Sequence, residues 1–340
     1  MAARLKLLRV WLNNQLSTFE NRLSPHRTRH CDAPIKNGGA EGPLGASREA
    51  QLHLAPLMYD PLLRPNLTTN PIPSAGDLVL TRVYHIVQFT NDNSIYMFFR
   101  GCNFRCTGCI LKLSPWDCHL PNDIRSRLER LPSIETLSLN EIRRIVEPLR
   151  IRKAVLGGGE PTIDSQLIDV IKLLHDLNVT TVLLTNGYAL DEDGVEELQD
   201  AKLDQIWVSI KALTASLHTQ YTGKSNRRVL RNFKLLSRSG IHVRAESVLI
   251  PQLIEYDEIK SIASFIASVN SSIPYRIDGY IPVKGTIWRM PSRQEMLKAI
   301  QEARKHLENV SYIYSGMRLK GNVFNVYPRL KDEPRTDLVS

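Results

Sequence analysis

From residue 95 onward, short apolar runs alternate with stretches of helical periodicity. This rhythm constrains the fold more than any other feature of the chain. Strands are expected at 95–100, 153–156, 181–185, 205–211, 242–250 and 275–283, with a last short one at 311–314. Helices are expected at 139–149, 165–177, 191–200, 228–239, 256–269 and 293–307. Alternation at this spacing demands a mostly parallel sheet covered by helices. About six such strands are visible, fewer than a closed eight-stranded barrel needs. The expected fold is therefore α/β, a partial, splayed (β/α)6 barrel of TIM type.

Polar residues cluster where these strands end. Cys102 follows one, Gly158 and Glu160 another, Asn186 the next and Lys211 the next. In βα barrels the active site lies at the carboxyl ends of the strands, so these groups are aimed at one rim.

The loop after the first of these strands reads Gly101-Cys102-Asn103-Phe104-Arg105-Cys106-Thr107-Gly108-Cys109, a C-x3-C-x2-C spacing. The chain has 5 cysteines, an odd number and too few for a disulfide scaffold. Thiolates are soft ligands suited to iron–sulfur clusters or zinc. Structural zinc wants four protein ligands, and only Cys118 and His119 lie near enough in sequence to add one. Three cysteines on a cubane cluster instead leave one iron open for a substrate or cofactor.

This loop, followed at the end of the next strand by Gly158-Gly159-Glu160-Pro161, resembles the radical S-adenosylmethionine (SAM) superfamily. Within it the chain is similar to the pyruvate formate-lyase activating (glycyl-radical enzyme activating) branch. Ser114-Pro115-Trp116-Asp117, Leu156 to Thr162, Val208-Ser209-Ile210-Lys211 and Tyr221-Thr222-Gly223-Lys224-Ser225-Asn226 all resemble motifs of that branch. The resemblance covers about 85–285. Two positions depart from it: Gly108 stands where an aromatic residue is usual, and Ser209 where the strand motif has Asp.

The resemblance implies a [4Fe–4S] cluster on Cys102, Cys106 and Cys109, with SAM on the open iron. One electron would cleave SAM to a 5′-deoxyadenosyl radical that abstracts a hydrogen atom, an oxidoreductase reaction. Gly158 and Gly159 would let backbone approach the cofactor closely. Glu160 would accept from the methionine ammonium, or else pack at its turn. Lys211 would pair with the carboxylate, or else be a solvated strand-end lysine. Asn186 would hold the ribose hydroxyls, or else serve an Asn-Gly turn. Ser209 and Glu246 complete the cofactor set, with Arg244 on the same strand face as Glu246. Trp116 is core or cofactor wall, Phe104 and Arg105 pack on the cluster, and Tyr280 and Lys284 are candidate substrate contacts. The implied partners are a ferredoxin or flavodoxin as electron donor and a glycyl-radical protein as hydrogen donor. A small molecule or cofactor precursor is the alternative substrate, and a zinc- or RNA-binding protein the alternative class.

The net charge of +9 is uneven. Residues 1–30 hold Arg4, Lys6, Arg9, Arg22, Arg27 and Arg29 against Glu20, so the body is nearly neutral and nucleic acid is not an expected partner. Leucines and aromatics among those charges suggest a basic amphipathic helix. It could pack on the main domain, lie on a membrane surface or act as a transit peptide. Linker composition follows, giving a division into 1–80, a barrel at 81–315 and an extension at 316–340. No run is long enough to span a membrane. Thiolates that must stay reduced point to a reducing cytoplasm.

Overall fold

The computed structural model describes residues 79–314, 317 and 321–330; the expected amphipathic helix and linker lie outside them. Among the described residues nine strands run in chain order: β1 Val83–Phe89, β2 Ser94–Phe99, β3 Lys153–Gly158, β4 Thr180–Thr185, β5 Gln205–Ser209, β6 His242–Leu249, β7 Tyr275–Gly279, β8 Val310–Ile313 and β9 Val323–Tyr327. They form one sheet in the order β8-β7-β6-β5-β4-β3-β2-β1-β9. Strands β2 through β8 are parallel; β1 pairs antiparallel with β2 and with β9. The expected partial barrel is thus observed, with two antiparallel strands added at one edge.

Eight α-helices of the described residues accompany the strands: α1 Asn122–Leu128, α2 Leu139–Val146, α3 Leu167–Asp176, α4 Glu192–Asp200, α5 Ala215–Thr222, α6 Arg227–Leu236, α7 Tyr256–Asn270 and α8 Arg293–Arg304. Strand alternation sorts side chains between two faces. Ala154 and Leu156 of β3 and Ile206 and Val208 of β5 are fully buried in the main core. They share it with Val170, Ile171 and Leu174 of α3 and Ile259, Ile262 and Ile266 of α7. Their strand neighbours Val155 and Trp207 are half-buried on the opposite, inner face. The α2 and α8 N-termini carry capping boxes, Ser138 with Glu141 and Ser292 with Glu295, which satisfy backbone donors on each helix's first turn.

A second, smaller core holds Tyr84, Val87, Phe98, Trp116, Leu120 and Leu128. Trp116 is therefore a core residue, 5.1 Å from the ring centre of His85 in an edge-on contact.

Periodicity missed four elements. β1 reads Val-Tyr-His-Ile-Val-Gln-Phe, apolar nearly throughout, and buries a histidine at its centre. β9 is an edge strand defined only by its pairing with β1. The α1 sequence Asn-Asp-Ile-Arg-Ser-Arg-Leu buries Leu128 alone, and α5 has little amphipathic contrast. Two expected strands also ran too long: β5 ends at Ser209 and β7 at Gly279.

Candidate functional site

The glycine turn at the end of β3 grips the start of the cysteine loop. The Gly159 N–H donates to the Phe99 carbonyl at 2.9 Å and the Glu160 N–H to the Gly101 carbonyl at 2.8 Å. A Cβ at Gly159 would lie 2.1 Å from the Gly101 oxygen and 2.5 Å from the Phe99 oxygen, so no other residue fits. Gly158 has φ +85°, a conformation costly for any residue with a Cβ. The two expected cofactor glycines thus seat one rim loop on another.

Glu160 is buried, and its carboxylate accepts four donors. Thr162 N–H (3.1 Å), Thr162 Oγ1 (2.5 Å) and Thr185 Oγ1 (2.6 Å) meet one oxygen; Asn186 N–H (2.7 Å) meets the other. Burial pushes its pKa up, opposed by these bonds. The carboxylate therefore ties the end of β3 to the end of β4. Asn186 in turn faces the cysteine loop, where its Nδ2 donates to Asn103 Oδ1 at 2.6 Å and lies 3.7 Å from Cys102 Sγ.

The three loop thiols are free, Cys102 exposed and Cys106 and Cys109 half-buried. Burial pushes Cys106 up to about 11; Lys211 opposes the shift and the charges of Cys109 and Cys102 reinforce it. Burial raises Cys102 as well, with Glu160 and Cys109 adding to it and Lys211 opposing. Cys102 and Cys106 therefore both feel the charges of Cys109 and Lys211. Among the described residues, the only group of three His, Cys or acidic ligands whose donor atoms all lie within 4.8 Å of one another is Asp117, Cys118 and His119. The loop thiols are spread wider than the roughly 3.8 Å expected between sulfurs on one tetrahedral zinc. Soft, widely set thiolates on one loop suit a multi-iron cluster.

Lys211 is half-buried just past β5, and its charge also reaches His218 and Asp278. On the inner face, Ser209 and Glu246 are register partners on β5 and β6, and the Ser209 hydroxyl donates to the Glu246 carboxylate. Arg276 Nη2 donates to Glu246 Oε2 at 2.6 Å, and its Nε lies 2.9 Å from Asp278 Oδ1. The guanidinium carbons of Arg244 and Arg276 stand 5.1 and 4.6 Å from the centre of the Trp207 ring. Arg244 and Glu246 do share a face, but Glu246 engages Arg276 while Arg244 lies over Trp207. Lys284 is exposed.

Helix α5 backs the cysteine loop. The Thr107 N–H donates to the Tyr221 carbonyl and the Arg105 N–H to the Thr222 carbonyl, both at 2.9 Å. Phe104 is buried edge-on against Tyr188 and His218. A Cβ at Gly108 would meet Tyr280 Cε2 at 2.7 Å and the Tyr221 hydroxyl at 3.1 Å. Glycine stands at this position because two tyrosines occupy the space. Trp288 lies 6.0 Å from the Tyr221 ring and 6.1 Å from that of Tyr280. His218 and Trp288 escaped the sequence reading, which had Tyr280 only as a candidate substrate contact and Tyr221 only as part of a motif; the structure packs Tyr280 against Gly108.

The chain matches the Radical SAM superfamily over residues 96–266. It is 32% identical over 241 residues to a Methanocaldococcus jannaschii protein provisionally named a glycyl-radical enzyme activating enzyme, covering 69% of this chain and 85% of that one. It is 35% identical over 129 residues to the GTP 3′,8-cyclase of Synechococcus elongatus, 36% of this chain and 35% of the cyclase. Streptococcus suis SuiB shares 16% identity and a TM-score of 0.49 across 65% of this chain and 47% of its own. The family match spans the cysteine loop and the strand ends just described, and the chain belongs to the radical SAM superfamily of enzymes, which use a [4Fe–4S] cluster and S-adenosylmethionine.

Proposed function

We propose that this enzyme is an oxidoreductase that activates a partner protein by abstracting a hydrogen atom from one of its glycines. The observation that carries the chemistry is the convergence of the C-x3-C-x2-C loop, the Gly158–Gly159 turn, Asn186 and Lys211 on one rim. The choice of a glycine target is supported by the M. jannaschii relative, which this chain matches along most of both lengths.

In this reading Cys102, Cys106 and Cys109 ligate the cluster. When bound, the cluster and SAM supply one-electron cleavage of a carbon–sulfur bond and, through it, hydrogen-atom abstraction. Lys211 meets the carboxylate of SAM as a charge-assisted partner. Asn186 holds the cysteine loop at Asn103 and offers its remaining polar capacity to the ribose. Glu160 keeps Asn186 in place. Gly158 and Gly159 bring backbone close to the cofactor. Ser209, Glu246 and Arg276 form the polar floor below. A low-potential ferredoxin or flavodoxin delivers the electron.

The test is anaerobic reconstitution followed by EPR and product analysis. The reduced cluster signal should change on adding SAM, and 5′-deoxyadenosine should form. Mixed with a glycyl-radical protein, the enzyme should generate the doublet of a glycyl radical in step with 5′-deoxyadenosine. 5′-Deoxyadenosine consumed on a small molecule, with no radical on any such protein, would reassign the substrate. Bound zinc in place of iron would remove the mechanism.

A further inference from the structure

The Tyr221 side chain is buried, 3% exposed, at the C-terminal end of α5. Its hydroxyl points at Gly108, 3.1 Å from where a Cβ would stand, directly beside Cys109 in the chain. The charges of Cys106 and Cys109 both act on it. The same residue's carbonyl accepts the Thr107 N–H, so ring and backbone are fixed to the segment between these two cysteines. Tyr280 and Trp288 pack beside the ring. The neighbouring Tyr280 hydroxyl is already engaged, 2.8 Å from Thr286 Oγ1 and accepting the Val283 N–H at 3.3 Å. No hydrogen bond joins the Tyr221 hydroxyl to any described residue.

The Tyr221 hydroxyl is not one of the fully enclosed polar atoms that lack a partner, so it opens on space beside the cysteine loop and is free to donate there. The thiols of Cys106 and Cys109 flank the Thr107–Gly108 segment against which it packs. We propose that Tyr221 donates a hydrogen bond into the iron–sulfur centre on the Cys106–Cys109 side and thereby sets its reduction potential. Hydrogen bonds to cluster sulfurs are a main lever on potential. A donor stabilises the more negative, reduced state, so the potential rises. Gly108 has a defined part in this: the absent Cβ opens the path from the tyrosine wall to the cluster. The inference rests on the reading that Cys102, Cys106 and Cys109 hold the cluster, and is independent of the substrate.

The test compares wild type, Tyr221→Phe and Tyr280→Phe, each anaerobically reconstituted and matched for iron and sulfide content and melting temperature. Each is poised at the wild-type midpoint potential, and the EPR signal of the reduced cluster is integrated. Tyr221→Phe should lower the reduced-to-oxidised ratio about threefold to tenfold, tenfold being about 59 mV for a one-electron couple. Tyr280→Phe should track wild type. Should Tyr221→Phe fail to load iron, difluorotyrosine at position 221 of the full chain decides, since a more acidic phenol is a stronger donor. The ratio then rises if Tyr221 tunes the cluster. An unchanged ratio in loaded Tyr221→Phe, or in the fluorinated protein, overturns the proposal. Wild type that binds no iron fails the cluster assignment itself, a separate result.

Discussion

The carboxylate of Glu160 accepts the backbone N–H of Asn186 at 2.7 Å, joining the ends of two parallel strands at the rim. Because Asn186 then reaches Asn103 and Cys102, one buried acid governs where the cysteine loop sits. Glu160→Gln preserves shape but turns one acceptor into a donor facing other donors. Leaving buried partners unsatisfied costs about 1–3 kcal/mol. Thermal unfolding should show that loss, and reconstituted protein should hold less iron than wild type.

The Gly159 turn makes a steric prediction. Gly159→Ala places a methyl against two backbone oxygens, which cannot rotate away, so the cost should reach about 3 kcal/mol or more. Gly240→Ala, where the nearest atom is Gln199 Nε2 at 3.9 Å, should be neutral or stabilising by up to about 1 kcal/mol. Parallel melting curves distinguish backbone collision from a general intolerance of alanine.

The thiols can be assigned one by one. Serine at Cys102, Cys106 or Cys109 should abolish cluster assembly, measured as iron and acid-labile sulfide per chain. Cys118→Ser should retain both, because Cys118 sits in a local group with Asp117 and His119.

Lys211→Met should weaken SAM binding while leaving cluster content intact. Losing a charge-assisted partner is worth about 1.5–3 kcal/mol, roughly ten- to a hundredfold in Kd. Titrating SAM against the EPR signal of the reduced cluster reads this directly. A Kd equal to that of wild type would return Lys211 to the role of a solvated lysine.

His85 gives a pH prediction. Its ring is fully buried in β1, with Nδ1 2.6 Å from the Tyr327 carbonyl and Nε2 accepting the Asp117 N–H at 3.3 Å. Burial lowers its pKa from 6.5 to about 4, opposed by the Tyr327 bond and by Asp117. Between these values the unfolded chain binds more protons than the folded one. Its stability contribution is complete above about pH 6.5 and is lost as pH falls toward 4, by at most about 3 kcal/mol. Melting temperature should therefore drop from pH 7 to pH 5, and drop less in His85→Gln.

Much of this protein was legible before folding. Apolar runs and helical periodicity located the parallel strands β2 to β8 and most of their covering helices, because burial on a sheet face or helix stripe is a local, periodic requirement. The placing of Cys102, Glu160, Asn186 and Lys211 at strand ends followed from the same pattern. What periodicity could not supply was partnership across the chain. Whether Glu160 turns to Asn186, what stands in the way of a side chain at Gly159 or Gly108, and which ring backs the cysteine loop depend on strand register and helix docking. The antiparallel strands β1 and β9 belong to this class too: β1 is held between β2 and β9, β9 is a strand only through β1, and His85 is tolerated in β1 because the Tyr327 carbonyl and the Asp117 amide satisfy both nitrogens. Sequence marked the candidate ligands and the rim that presents them; tertiary structure decided which neighbours hold each one, because hydrogen bonds and close packing are settled between residues that meet only after the chain has folded.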